Sequence, residues 1–147
     1  MKLDRAFIAA RIPHAGRMCL LDGIADWAET FIVCRASSHR DPKNPLRASG
    51  RLGIANGIEY CAQAMAVHGA LLAGADTAPR AGYLTSVREV VFHAERLDDI
   101  EEDLLVRADL LSGDGKHLIY LFRLETVKNL LLTGRASVIL NIQDKAS

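Results

Sequence analysis

The chain has no charge surplus, no paired-cysteine motif and no repeated or low-complexity segment, and each lack closes off a class of function. Lys plus Arg equal Asp plus Glu at 18 each, so no global field draws the protein to nucleic acid or a membrane surface. Recognition by charge has to be local. Cysteine is scarce: Cys19, Cys34 and Cys61 are an odd number, form neither CxxC nor a Cys/His spacing, and sit in apolar segments. That predicts free core thiols, no disulfide frame and no metal site. The start, MKLDRAFIAARIPHAG, carries Asp4 and lacks the apolar core of a secretion signal, which points to the cytoplasm. With no internal repeat, 147 residues suit one domain spanning 1 to 147.

What the chain does have is one long apolar run. From Ile54 to Gly74, 14 of 21 residues are apolar and they go all the way round a helix, which predicts a helix enclosed by other structure. The length approaches that of a bilayer span, but Glu59, two further polar side chains and an Ala/Gly-rich composition make insertion unfavourable. No membrane span is expected. Asn56 can cap this helix, and Glu59, three residues on, can reach back to the Asn56 amide as a variant of the capping box.

Around the helix the pattern is that of strands. Leu3 to Arg11 reads as a short amphipathic helix stopped by Pro13, with a turn at Pro13 to Gly16. Met18 to Trp27 and Thr30 to Ser37 read as a first hairpin, and Ser38 to Gly53, with two prolines and two glycines, as a true loop. Ala75 to Gly82 is a connection. Tyr83 to His93, Leu104 to Leu111, Lys116 to Thr126 and Leu132 to Ile142 follow as strands, the middle two joined across Ser112-Gly113-Asp114-Gly115. Leu118, Tyr120, Phe122 and Leu124 share one face; Leu132, Gly134, Ala136, Val138 and Leu140 share another. The tail from Gln143 is expected to fray. This order gives an α+β fold, a long antiparallel sheet wrapped around a central buried helix.

Three stretches carry a resemblance. Ile12-Pro13-His14 followed by Met18-Cys19-Leu20-Leu21-Asp22-Gly23-Ile24, then Glu59-Tyr60-Cys61-Ala62-Gln63, then Val87 to His93 resemble segments of the FabA/FabZ family of 3-hydroxyacyl-[acyl carrier protein] dehydratases. The pattern NPLR..GRL....GIEYCAQAMAVHGAL is similar to the divergent ApeP-like branch associated with aryl polyene pigment clusters. The resemblance implies a single hot-dog domain and a carboxylate, Glu59, that takes part in catalysis. It also implies dimerisation through edge strands, with an identical chain or with a second hot-dog dehydratase, and the site at the junction. The substrate would arrive on the phosphopantetheine of an acyl carrier protein, with no cofactor of the chain's own. The family's Gly-His-Phe-Pro motif is missing: Arg40 to Leu52 contains no His, and Asn44-Pro45-Leu46 stands roughly in its place.

Dehydration of a 3-hydroxyacyl thioester needs a base for the proton alpha to the carbonyl, an acid for the leaving hydroxyl, and donors for the developing enolate oxygen. Asn44 cannot be the base, though it can contact substrate. Glu59 can serve either proton transfer if burial raises its pKa, or it can simply cap the helix. Gln63, one turn on, can orient Glu59 or bond a neighbouring strand. The amides of Gly57 and Ile58 can hold the carbonyl oxygen. His39 can swing toward the site, whereas His68, about half a turn round from Glu59, reads as structural, as do His14 and His93.

Charge is local, as composition requires. Arg35, Arg40, Lys43, Arg47 and Arg51 are opposed only by Asp41, which suits an acidic carrier protein or a phosphate, with Arg47 and Arg51 nearest the site. The cluster Asp98, Asp99, Glu101, Glu102 and Asp103 lacks the pattern of a calcium loop and reads as a solvated connection. Three functions fit these residues: a dehydratase, a catalytically silent subunit beside an active dehydratase, and a thioesterase using Glu59 to activate water.

Overall fold

The apolar run does form the central helix. In the computed structural model, which describes residues 2–12, 16–74, 82–114 and 116–140, Ile54–Asn56 makes a 3-10 turn that runs directly into helix α2, Gly57–Ala73. Tyr60, Cys61, Gln63, Ala64, Met65, Val67 and His68 along it are all fully buried, as a helix apolar on every side demands. The expected side-chain cap by Asn56 is absent. Asn56 has φ −65 and ψ −18 and makes no side-chain cap; its backbone amide donates to the Gly53 carbonyl at 3.1 Å. The preceding 3-10 turn supplies the acceptors that a side-chain cap would otherwise provide.

Six strands wrap this helix: β1 Gly23–Ala28, β2 Phe31–Ala36, β3 Gly82–Phe92, β4 Leu104–Gly113, β5 His117–Glu125 and β6 Leu130–Leu140. They form one antiparallel sheet in the order β1-β2-β4-β5-β6-β3. This is the hot-dog fold, with β1 and β3 as edges. The helix-facing sides of β5 and β6 are as expected from alternation: Leu118, Tyr120, Phe122, Leu124, Leu132, Ala136 and Val138 are all buried. The small residue in β6 has a clear purpose, since a Cβ on Gly134 would lie 2.4 Å from the Phe122 ring that crosses it.

The first hairpin starts later than expected. Gly16–Met18 is a 3-10 turn, and both backbone groups of Leu20 are taken by the side chains of Gln63 and Ser38, so β1 begins at Gly23. Helix α1, Arg5–Ala9, is capped by Asp4, whose carboxylate accepts from the Phe7 amide at 3.1 Å. The segment before it docks on β1, where the Ile24 amide donates to the Leu3 carbonyl at 2.8 Å. Only a glycine fits at Gly23, because a Cβ there would stand 2.8 Å from that carbonyl oxygen. The three cysteines are free and buried, with burial pushing the Cys34 thiol up to about 12. Pro13, His14 and Ala15 of the expected turn, most of the Ala75 to Gly82 connection, and the end of the last strand with the tail, from residue 141 on, fall outside the described residues.

Candidate active site

The entrance to α2 is fixed by a loop some forty residues away in sequence. The Ile54 amide donates to the Glu95 carbonyl at 3.0 Å and the Leu97 amide to the Leu52 carbonyl at 2.7 Å. Asp98 completes the join: its carboxylate accepts from the Leu52 amide at 2.8 Å and pairs with Arg96. That guanidinium holds the Asp98 carboxyl well below the usual carboxylate range. The acidic stretch is therefore not a merely solvated connection. Glu102 pairs with Lys128 at 2.9 Å and Asp103 with Arg40 at 2.7 Å, and no group of three or more metal-ligating side chains exists among the described residues.

A directed chain of hydrogen bonds lies beside this entrance. Asn44 is nearly buried and its Nδ2 donates to the Ser38 carbonyl at 2.9 Å and to the Tyr60 hydroxyl at 3.1 Å. The Ser38 hydroxyl donates to the Leu20 carbonyl at 2.7 Å, so the 2.8 Å contact between Tyr60 and Ser38 must have Tyr60 as donor. Burial raises the Tyr60 hydroxyl, which keeps that proton in place. Asn44 Oδ1 accepts from the Leu46 amide at 2.9 Å. Every polar atom of Asn44 is thus committed to holding the loop, and none is aimed at a ligand. Sequence reading missed Tyr60; the signal was a tyrosine inside an apolar helix, whose hydroxyl must find a partner when buried.

Gln63 resolves in favour of its structural alternative. Its Oε1 accepts from the Leu20 amide at 2.9 Å and its Nε2 donates to the Met18 carbonyl at 2.6 Å, so both ends of the amide hold the segment leading into β1. His39 is fully buried in the 3-10 turn Ser38–Arg40. Its Nε2 donates to the Ile100 and Glu102 carbonyls at 3.1 and 3.0 Å, which anchors the ring in place, and burial lowers its pKa. It does not swing toward α2 in this structure. The Gly57 amide bonds back to the Ile54 carbonyl, and a Cβ on Gly57 would lie 2.6 Å from Leu132 and 2.7 Å from Leu124. Gly57 therefore serves close packing of the helix start on β5 and β6, and its N–H is not vacant. Ile58 and Glu59 follow in the first turn of α2, both half-buried. Glu59 remains as an ionisable group positioned at the helix start.

The basic stretch is less unopposed than its sequence. Arg35 and Arg40 both lie beside Asp103, at 4.0 and 2.7 Å, and Arg17 reaches Asp41 at 3.4 Å. Arg47 turns inward, donating to the Gly50 carbonyl at 3.2 Å and the His39 carbonyl at 3.1 Å. Arg51 is exposed in a tight turn with Ala48. A cavity of about 520 Å³ opens between the loop after β3 and the start of β6, beside His93, Glu95, Arg96, Asp99 and Asn129. No sequence-predicted site residue lines it.

The edges of the sheet differ in character. On β3, Leu84, Val87, Val91 and Phe92 are all exposed by a third or more, along an 11-residue strand with no partner on its outer side among the described residues. A long edge with apolar side chains templates pairing with another chain. Glu89 sits in this strand at φ 55, where the register shifts between Arg88 and Val91.

Comparison with solved structures places the fold beside this geometry. The chain is similar to one in the dehydratase heterocomplex ApeI:P from Xenorhabdus doucetiae, with a TM-score of 0.79 and 23% identity over 92% of this chain and 91% of that one. It is also similar to a thioesterase from Haemophilus influenzae, TM-score 0.60 and 11% identity over 85% and 82% of the two chains. A hypothetical thioesterase from Streptococcus pneumoniae solved with coenzyme A gives 0.58 and 10% over 83% and 87%. At these identities the likenesses establish the fold. No curated protein matches the chain. The family model described as ApeP dehydratase matches residues 7–146, nearly the whole length, and the chain therefore belongs to the ApeP-like dehydratase family.

Proposed function

We propose that this chain is one subunit of a two-chain hot-dog dehydratase that converts a 3-hydroxyacyl thioester, carried by an acyl carrier protein, to the enoyl thioester and water. The observation that carries the reading is the commitment of the nearby polar side chains. His39, Asn44 and Gln63 are buried and hold backbone groups of their own chain, and the acid-base role is assigned to Glu59, a half-buried carboxylate in the first turn of α2. One carboxylate does not make a dehydratase. The alpha proton needs a base, the departing hydroxyl needs a proton, and the enolate oxygen needs donors.

The second group then comes from another chain across the β3 edge. A histidine on a partner removes the alpha proton, Glu59 delivers a proton to the hydroxyl as the C–O bond breaks, and water leaves. The exposed apolar residues of β3 and the likeness to a chain of a dehydratase heterocomplex support a hetero-oligomer. Membership of the family supports an aryl polyene type of acyl chain. Among the described residues, no helix is long and apolar enough to cross a membrane.

The test is reconstitution. Enoyl-thioester formation and thioester hydrolysis are followed separately for the isolated chain, for a hot-dog chain carrying a histidine base, and for the two together. Dehydration that needs both, and that disappears with Val87→Lys plus Val91→Lys while both chains stay folded, is the expected result. Full dehydration by the isolated chain, or hydrolysis in place of dehydration, overturns it.

A further inference from the structure

We infer that the chain has a second binding site, for an apolar carboxylate of about ten carbon atoms, in the cavity between α1, β1 and the C-terminal end of α2. The cavity encloses about 410 Å³, within the range of small-molecule sites. Taking roughly 30 Å³ per non-hydrogen atom, the share a water molecule has in the liquid, it accepts on the order of a dozen such atoms. Its walls are apolar: Leu3 and Phe7 from the N-terminal segment, Trp27 from β1, Ala70 and Leu71 from α2. Such walls favour a hydrocarbon or aryl tail and disfavour a nucleotide or sugar, whose polar groups would go unpaired.

Among the described residues one charged side chain, Arg11, lines this cavity. Its guanidinium lies 3.5 Å from the centroid of the Phe7 ring, and its Nη1 donates to the Phe7 carbonyl at 3.0 Å. The cation is therefore positioned by α1 before any ligand arrives, with further N–H groups in a planar fork that matches a carboxylate. Among the described residues no acidic side chain lines the cavity. An anionic head with an apolar tail satisfies both features at once; a neutral hydrocarbon satisfies only the walls.

The site stands apart from the candidate active site. Ala70 and Gly74 lie roughly 17 to 22 Å along the helix axis from Glu59, at 1.5 Å per residue. Neither Glu59 nor any other sequence-predicted site residue lines the cavity. The inference is independent of the dehydratase reading and can fail without it.

The chain supplies its own probe. Trp27 is the sole tryptophan, is 37% exposed and forms one wall, so its emission reports occupancy. Titration of the purified chain with decanoate should give a saturable blue shift at one ligand per chain, at least tenfold tighter than with decanol. Arg11→Met keeps an apolar stem over Phe7 and should bring decanoate down to the affinity of decanol. Ala70→Phe should abolish the response to both, with far-UV circular dichroism showing that the chain is folded. Glu59→Gln should bind decanoate as the parent does. Absence of saturation below millimolar decanoate, equal affinity for decanoate and decanol in the parent, or loss of binding in Glu59→Gln would each overturn the inference. Should Ala70→Phe not fold, Arg11→Met, in the turn after α1, decides alone.

Discussion

The Tyr120 hydroxyl donates to His68 Nδ1 at 2.7 Å, and His68 Nε2 donates to the Ala28 carbonyl at 2.8 Å. Both ring nitrogens are thereby used, and the imidazole is neutral. The two rings meet edge to face, 5.6 Å apart at 77°, where α2 packs on β5. This is the structural role expected of a histidine on the side of the helix away from Glu59. The pair joins the helix to β5 and to the end of β1 at one point, as a buried polar group must when no water can reach it.

Tyr120→Phe should destabilise the chain by about 1–3 kcal/mol, since it leaves His68 Nδ1 buried without a donor while removing little volume. Urea denaturation at neutral pH measures it. A change within 0.5 kcal/mol would mean that the hydroxyl contributes nothing net.

Stability should fall as the solution is acidified below about pH 6.5. His39 and His68 both have pKa values lowered by burial, so each is neutral in the folded chain where the unfolded chain, titrating near 6.5, already binds protons. Above that value neither state is protonated and their contribution is complete. Below it, stability is lost with a slope of up to about 1.4 kcal/mol per pH unit for each histidine, ending once the folded pKa is passed. Asp98, lowered by Arg96, adds a separate loss only below its ordinary carboxylate range. Denaturation midpoints that stay flat from pH 7 to 5 would contradict the histidine assignment.

Asn44 and Tyr60 should behave as one unit. Asn44→Ala removes the donor to Tyr60 and to Ser38 and the acceptor for Leu46, and Tyr60→Phe removes the next link. Each should cost about 1–3 kcal/mol, and the double variant clearly less than the sum, because the second change removes an interaction the first has already broken. Additive costs would show two unrelated contacts.

Much of this was legible in the sequence, and what was not has identifiable causes. The helix from Ile54 and the faces of β5 and β6 follow from periodicity, which tertiary packing reinforces. The side-chain cap that the sequence predicts at Asn56 does not form, because a 3-10 turn ahead of the helix gives the Asn56 amide a backbone acceptor and leaves no trace in composition. β1 starts later than the pattern predicts: Met18 to Leu21 is apolar like a strand, yet the Met18 carbonyl and both backbone groups of Leu20 go to the side chains of Gln63 and Ser38. The site was less legible than the fold. A reading along the chain cannot show that Arg40 meets Asp103, or that Leu52 meets Asp98, because those partners are dozens of residues apart. The commitment of His39 to the Ile100 and Glu102 carbonyls was hidden for the same reason.

Gly57→Ala sets two effects against each other. Alanine is better than glycine inside a helix by about 1 kcal/mol, but its Cβ would lie 2.6 and 2.7 Å from methyl carbons of Leu132 and Leu124. Those leucines are themselves buried, so they cannot yield without disturbing β5 and β6, and overpacking of this kind costs about 1–3 kcal/mol. Net destabilisation is expected. A gain in stability would show that the helix start moves away from the sheet freely.

The last prediction separates Glu59 from its neighbour Gln63. If Glu59 carries a proton in the assembled dehydratase, Glu59→Gln should lower turnover by about 10²- to 10⁴-fold in the reconstituted pair. The fold should be retained, because Gln matches Glu in size and keeps a side-chain oxygen that can accept a hydrogen bond. Gln63→Ala should do the reverse. It strands the buried Leu20 amide and Met18 carbonyl, so it should cost about 1–3 kcal/mol of stability, with activity falling only in step with the folded fraction. The paired measurement is turnover per folded molecule, taken from the same preparations by activity assay and by denaturation. Unchanged turnover per folded molecule in Glu59→Gln would make this chain a scaffold whose partner performs both proton transfers. A large loss in Gln63→Ala at full folding would instead return Gln63 to the chemistry.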